Sequence, residues 1–305
     1  MLQKYYLQPH QRVKMLKQKL ADFLEKSTKY NRYFLLAPPL LFIGAFFIIP
    51  IFWMIRISFY PGGSFEYEPG FTLDHYLRFF LDPYYLGTAL YTLKITMLVT
   101  PFVIVFSYAV SYLIATSTGK KGAIYLMLIV TPLFTTEVVR ALGFKIFLAK
   151  HGIINTILLA TGLFDEPLQL IYNDFAIVVA LIHSIIPYAC LVLIGVLVGI
   201  DKSYLEAAKT MGAGRIKTFW HVTLPLSIPG LSGALVVSII WCLSIYSIPE
   251  FLGSGAKYTM TMLIEEQILS VFNWPFADAV AAILVFLTVV GLAVSFKFSE
   301  KKEFK

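Results

Sequence analysis

Few residues in this chain have the types and spacing that chemistry needs, and most of them fall between Asp201 and Pro225. Ser203 and Glu206 stand in S-x-x-E spacing, which predicts a helix that satisfies its own first donors. Leu205, Ala208 and Met211 share one face of that helix, and Gly212-Ala213-Gly214 then ends it. The glycines permit a tight turn and leave no side chain in the way of a partner surface. A second amphipathic piece, with Ile216 and Phe219 on one side, leads to Leu224-Pro225. A short helix of this kind suits docking into a groove of another protein. It does not suit catalysis.

The remaining candidates are isolated charges and rings. Glu137 and Glu250 lie within or near the ends of apolar runs, where an ionised carboxylate is costly unless water or a partner accompanies it. Such groups tend to face a bundle interior or a polar path, where they would favour a cation. Arg140 stands three residues after Glu137, so mutual neutralisation is the competing reading. Trp241 and Tyr246 offer ring faces to a cation, or simply pack.

Several chemistries are excluded. No G-x-x-x-x-G-K-[ST] loop occurs, since Gly119-Lys120-Lys121 lacks both the first glycine and the hydroxyl residue. His10, His75, His151, His183 and His221 are scattered, and no pair has metal-ligand spacing. There is no G-x-S-x-G elbow. Cys190 and Cys242 both sit in long apolar runs, which reads as burial and excludes a disulfide framework.

The elements that must hold these residues are membrane spans. Of 305 residues, 58% are apolar and only 14% charged, against ~25% charged in soluble domains. The mean hydropathy is +0.75. A spanning helix needs about 20 apolar residues, and six segments qualify: Phe34 to Phe59, Gly87 to Thr116, Gly122 to Ala149, Phe175 to Ile200, Leu226 to Leu252, and Ala277 to Phe298. The expected fold class is therefore an all-α membrane protein with six transmembrane helices. Proline at 38, 39, 50, 132, 187, 229 and 249 predicts bent or broken helices around a path.

Charge sets the orientation. The first 33 residues hold Lys4, Arg12, Lys14, Lys17, Lys19, Lys26, Lys29 and Arg32, with no apolar core of a cleavable leader. Lys120 and Lys121, then Lys202, Lys209, Arg215 and Lys217, then Lys301, Lys302 and Lys305 mark alternate loops. The loops between them are acidic: Glu66, Glu68, Asp74 and Asp82, then Asp165, Glu166 and Asp174, then Glu265 and Glu266. Basic loops lie on the cytoplasmic side, so both termini are expected there. The net charge of +7 thus belongs to membrane loops and not to a nucleic-acid surface. Within residues 1–33, Val13, Leu16, Leu20 and Phe23 recur at helical spacing. That suits a helix lying on the inner leaflet, or else a solvated basic tail.

Glu206-Ala207-Ala208, then Gly212, then Val222 and Leu224-Pro225, resembles the EAA motif of permease subunits in binding-protein-dependent ABC importers. Val222 stands where that motif usually has Ile. The resemblance implies a type I importer transmembrane domain over 87–298, with 201–225 as the coupling loop and 34–59 as an added peripheral helix. It implies that Glu206, Ala207, Ala208, Gly212, Leu224 and Pro225 dock an ATPase. ATP and Mg would then bind on that separate ATPase, and this chain would be no enzyme and hold no cofactor. The implied partners are ABC ATPase subunits, a second permease in a heterodimer, an extracytoplasmic substrate-binding protein and the lipid bilayer of a bacterial inner membrane.

Three passages are similar to spermidine/putrescine permeases in particular. They are Pro132 to Arg140 with Gly143 to Phe147 and Gly152 to Asn155; Glu250 to Gly255; and Asn273-Trp-Pro-Phe276. Under that resemblance the candidate substrate path comprises Glu137, Arg140, Trp241, Tyr246 and Glu250, while Glu250 at an outer interface would instead meet the binding protein. Permeases for ferric iron, phosphonates and opines share the framework. An ion-coupled secondary transporter or a poreless scaffold are the readings from other classes.

Overall fold

The computed structural model describes Gln18 and residues 36–162, 164–255 and 258–303. The basic segment 1–33 and its amphipathic stretch lie outside these residues, Gln18 excepted. The chain divides into two compact units, Met1–Arg56 and Ile57–Lys305.

In the first unit the described element is α1, which runs Leu36–Ile57 and ends on the first residue of the second unit. Its 22 residues suffice to cross a membrane. It winds as a π-helix over Gly44–Ile48, just before Pro50. Proline lacks an N–H, and the wider winding accommodates the missing donor. Arg56 holds its guanidinium 5.2 Å over the Trp53 ring.

The second unit is all-helical among the described residues, apart from one isolated bridge between Gly62 and Tyr67. In chain order come α2 (Asp74–Leu81), α3 (Pro83–Thr116), α4 (Lys120–Val130), α5 (Glu137–Leu148), α6 (Ile153–Ala160) and α7 (Asp174–Gly199). There follow α8 (Lys202–Thr210), α9 (Arg215–Leu226), α10 (Ile228–Ser244), α11 (Ser247–Leu252), α12 (Met260–Leu269) and α13 (Trp274–Glu303). Side-chain oxygens start most of the long ones. Asp82 caps α3 through Tyr84 N–H, with Pro83 at the first turn, and Asn173 caps α7 through Ala176 N–H. Asn273 accepts from Phe276 N–H at 3.2 Å at the start of α13. These caps lie two to five residues upstream of where the apolar runs alone place the spans.

Among the described residues five helical stretches are long and apolar enough to cross a membrane, with α5 and α6 together as one of them (Glu137–Ala160), and the count is six where the α9–α10 pair, bent by 63°, is taken as one span. Two expected spans are corrected. The third, Gly122 to Ala149, is not continuous. After α4 the chain tightens into a 3-10 turn at Thr131–Phe134 around Pro132, and Thr136 then caps a new helix, α5. The fifth, Leu226 to Leu252, stops at Ser244. Ile245 turns extended, and Pro249 falls inside the separate short helix α11.

The main core lies where α3, α7 and α10 pack on one another, with α5 and α11 alongside. Ile95, Val99, Ile177, Leu181, Ile185 and Leu193 are almost wholly buried there. A second core joins α2, α3, α12 and α13 around Phe79, Tyr85, Leu263 and Phe276. Arg78 closes it, donating to the Tyr85 hydroxyl at 2.8 Å with its guanidinium 4.8 Å from the Phe276 ring centre. Both cysteines are buried and free.

Candidate functional site

The stretch expected to dock a partner folds as a projecting helix–turn–helix. α8 has no buried residue. Its cap is Asp201 and not Ser203, which corrects the S-x-x-E reading. The Asp201 carboxylate accepts the Ser203 N–H at 2.8 Å, and that bond, with a second from the Ser203 hydroxyl, holds its pKa below the ordinary value. At the other end the N–H of Gly212 reaches Lys209 O at 2.9 Å and that of Ala213 reaches Ala208 O at 3.0 Å. This is the paired closure of a Schellman cap, and it needs a left-handed residue between. Gly212 supplies it, with φ at +81°. A Cβ there would meet nothing within 4 Å.

The turn is therefore set by conformation and open to a partner. Glu206 and Ala207 are exposed and Ala208 is partly so. Met211 and Ile216 stand 87% and 76% exposed, apolar knobs with no cover among the described residues. Ile216 and Phe219 do not share a face as expected, because Phe219 turns inward. Its ring meets Tyr108 at 5.9 Å and Tyr112 at 5.3 Å, both edge-on. Tyr108 also bonds Ser227 at 3.0 Å, just beyond Leu224 and Pro225. α9 thus touches α3 through Phe219, and Tyr108 ties α3 to Ser227 just ahead of α10.

The expected path residues divide into two places. Arg140 is only 8% exposed and points its Nη1 at Ser184 O, 3.4 Å away on α7. It forms no ion pair with Glu137, so the neutralisation reading is not met. Trp241 on α10 lies against Tyr188, ring centres 4.1 Å apart. Ser184 and Tyr188 flank Pro187, which removes a backbone donor inside α7. Around that proline, Arg140 Nε, Ser184 Oγ and Trp241 Nε1 are buried with no hydrogen-bond partner among the described residues. Orphaned polar atoms of this kind mark a seam that water or another group completes. Tyr246 and Glu250 lie one turn from each other at α11, where Glu250 N–H bonds Tyr246 O. Sequence reasoning missed Ser184 and Tyr188, although Pro187 was the signal beside them.

In the passage Gly152 to Asn155 the two end residues serve packing. A Cβ on Gly152 would sit 2.6 Å from Phe147 O, so only glycine allows this approach. Asn155 is buried and fully used, donating to Ala149 O and Leu168 O and accepting from Leu168 N–H.

Comparison with known proteins bears on the whole second unit. The family model described as "Binding-protein-dependent transport system inner membrane component" matches residues 85–301. The spermidine/putrescine transport system permease protein PotB of Escherichia coli is 28% identical over 229 residues, covering 75% of this chain and 83% of that protein. PotB of Haemophilus influenzae is 26% identical over 253 residues, with 83% and 88% covered. Among solved structures, a bacterial ABC transporter that imports alginate superposes with a TM-score of 0.76 at 17% identity, over 92% of this chain and 98% of that one. The MetNI methionine ABC transporter gives 0.56 at 16% identity, over 71% and 95%. The fold is that of a type I ABC importer permease, and the chain belongs to the family of binding-protein-dependent transport system inner membrane components, multi-pass permease subunits that are not themselves enzymes.

Proposed function

We propose that this chain is one permease of a polyamine importer, forming half of the path for spermidine, putrescine or a similar small cation. The observation that carries the cargo is the alignment with two spermidine/putrescine permeases over three quarters or more of the chain. A second permease completes the path, and an extracytoplasmic binding protein delivers the solute. Both termini face the cytoplasm. ATPase subunits bind ATP and Mg there and seat the exposed turn of α8 and α9, with Glu206, Ala207, Ala208 and Gly212 toward the groove and Leu224 and Pro225 at the base. ATP-driven closure of the ATPases pushes on this turn, and the Phe219–Tyr108–Ser227 contacts pass the movement to α3 and α10. This chain needs no cofactor for that role.

The test is uptake by the reconstituted complex, offered labelled spermidine, putrescine, ferric iron and a phosphonate in turn. ATP-dependent uptake confined to the amines supports the cargo, and uptake of another solute in their place overturns it.

A further inference from the structure

A cavity of about 360 Å³ opens between the first turns of α3, the start of α7 and the segment before α12. Its size falls within the ~300–1,000 Å³ of small-molecule sites. Tyr84, Thr88, Tyr91, Lys94, Asp174 and Tyr258 shape it. At one end the cavity already holds an alkylammonium. Lys94 Nζ donates to Asp174 at 2.8 Å and lies 6.0 Å from the Tyr91 ring centre, while the Tyr91 hydroxyl donates to the other Asp174 oxygen at 3.1 Å. A carboxylate beside an aromatic face is what replaces the water around an ammonium.

The other end is formed by two aromatic rings. The Tyr84 and Tyr258 rings stand 6.5 Å apart at 51°. Burial, then Glu266, Glu250 and Glu265 in that order, raise the pKa of Tyr258, and α12, which carries Glu265 and Glu266, packs against α3. Among the described residues no cation lies within 4.0 Å of any of the three.

We propose that this cavity binds an aliphatic di- or polyamine, with one ammonium between Tyr84 and Tyr258 facing Glu266 and a second sharing Asp174 with Lys94. The inference rests on the cargo reading above and adds to it a place.

Gly87 lies on the cavity wall, with open space around a built Cβ, and both native cysteines are buried. The test therefore labels Gly87→Cys in the assembled complex in nanodiscs, with Thr161→Cys as the reference. A cationic methanethiosulfonate should react at Gly87→Cys about tenfold faster than an anionic one, relative to the reference. Spermidine should slow that reaction several-fold. Adding Tyr258→Leu or Glu266→Gln should bring both effects close to the reference values, whereas Tyr258→Phe, which keeps the ring, should preserve them. Absence of both charge preference and protection overturns the site. Spermidine uptake without protection keeps the cargo and removes the site. Charge preference and protection in a complex that imports no spermidine remove the cargo and keep the site.

Discussion

Gly212 illustrates how one residue can matter for conformation alone. Its φ of +81° lies where a side chain costs about 1–2 kcal/mol, least for Asn and Asp. Gly212→Val should therefore fray the end of α8, and Gly212→Asn should not. Gly212→Asp should match Asn locally but bring a charge into the docking contact, so the ATPase should co-purify with the Asn variant and be lost several-fold from the Asp variant. Asp201 makes a second residue-scale prediction. Its folded pKa lies below the unfolded value of 3.8, so the cap is complete above that value and is lost as the pH falls through the lower folded one. Between about pH 5 and 8 the protection of the first amides of α8, relative to the intrinsic exchange rate at each pH, should not change on this account. Asp201→Ala should speed that exchange, while Ser203→Ala should leave α8 capped.

At the scale of elements, the helices legible in the sequence were those whose apolar run is long and uninterrupted. α3, α7 and α13 emerge within a few residues of expectation because burial and lipid demand the same composition. The third and fifth spans were misread because proline does not by itself say whether a helix bends or stops. Pro187, and the unremarked Pro101, continue inside α7 and α3, whereas beside Pro132 a threonine cap offers the chain a fresh start. The candidate site divides the same way. The coupling loop was legible because its residues are contiguous. Asp174 meets Tyr91 and Lys94 across 83 and 80 residues, and no spacing announces that. Glu137→Gln should now leave complex yield unchanged, since the carboxylate does not compensate Arg140. Arg140→Met should assemble normally and cut uptake several-fold, because it removes the cation from the seam at Pro187 without leaving a charge behind. Gly152→Ala should cost about 1–3 kcal/mol, read as thermal stability of the complex, by forcing α5 and α6 apart at the Phe147 carbonyl.

For the molecule as a whole, the claim is that movement of an external ATPase enters through α8 and α9. Orientation is its first requirement. Cysteines at Ser117 and Lys202 should react only with reagents on the cytoplasmic side, and those at Glu68 and Asp165 only from outside. Contact is the second requirement and the more direct one. Ala207 is exposed on α8 and both native cysteines are buried, so a single Ala207→Cys can be paired with cysteines along the groove of the ATPase subunit in the assembled complex. If movement enters there, a disulfide between the two subunits forms in the resting complex and arrests uptake until it is reduced. A complex that imports its solute while Ala207→Cys forms no bond with any position of the ATPase groove would contradict it.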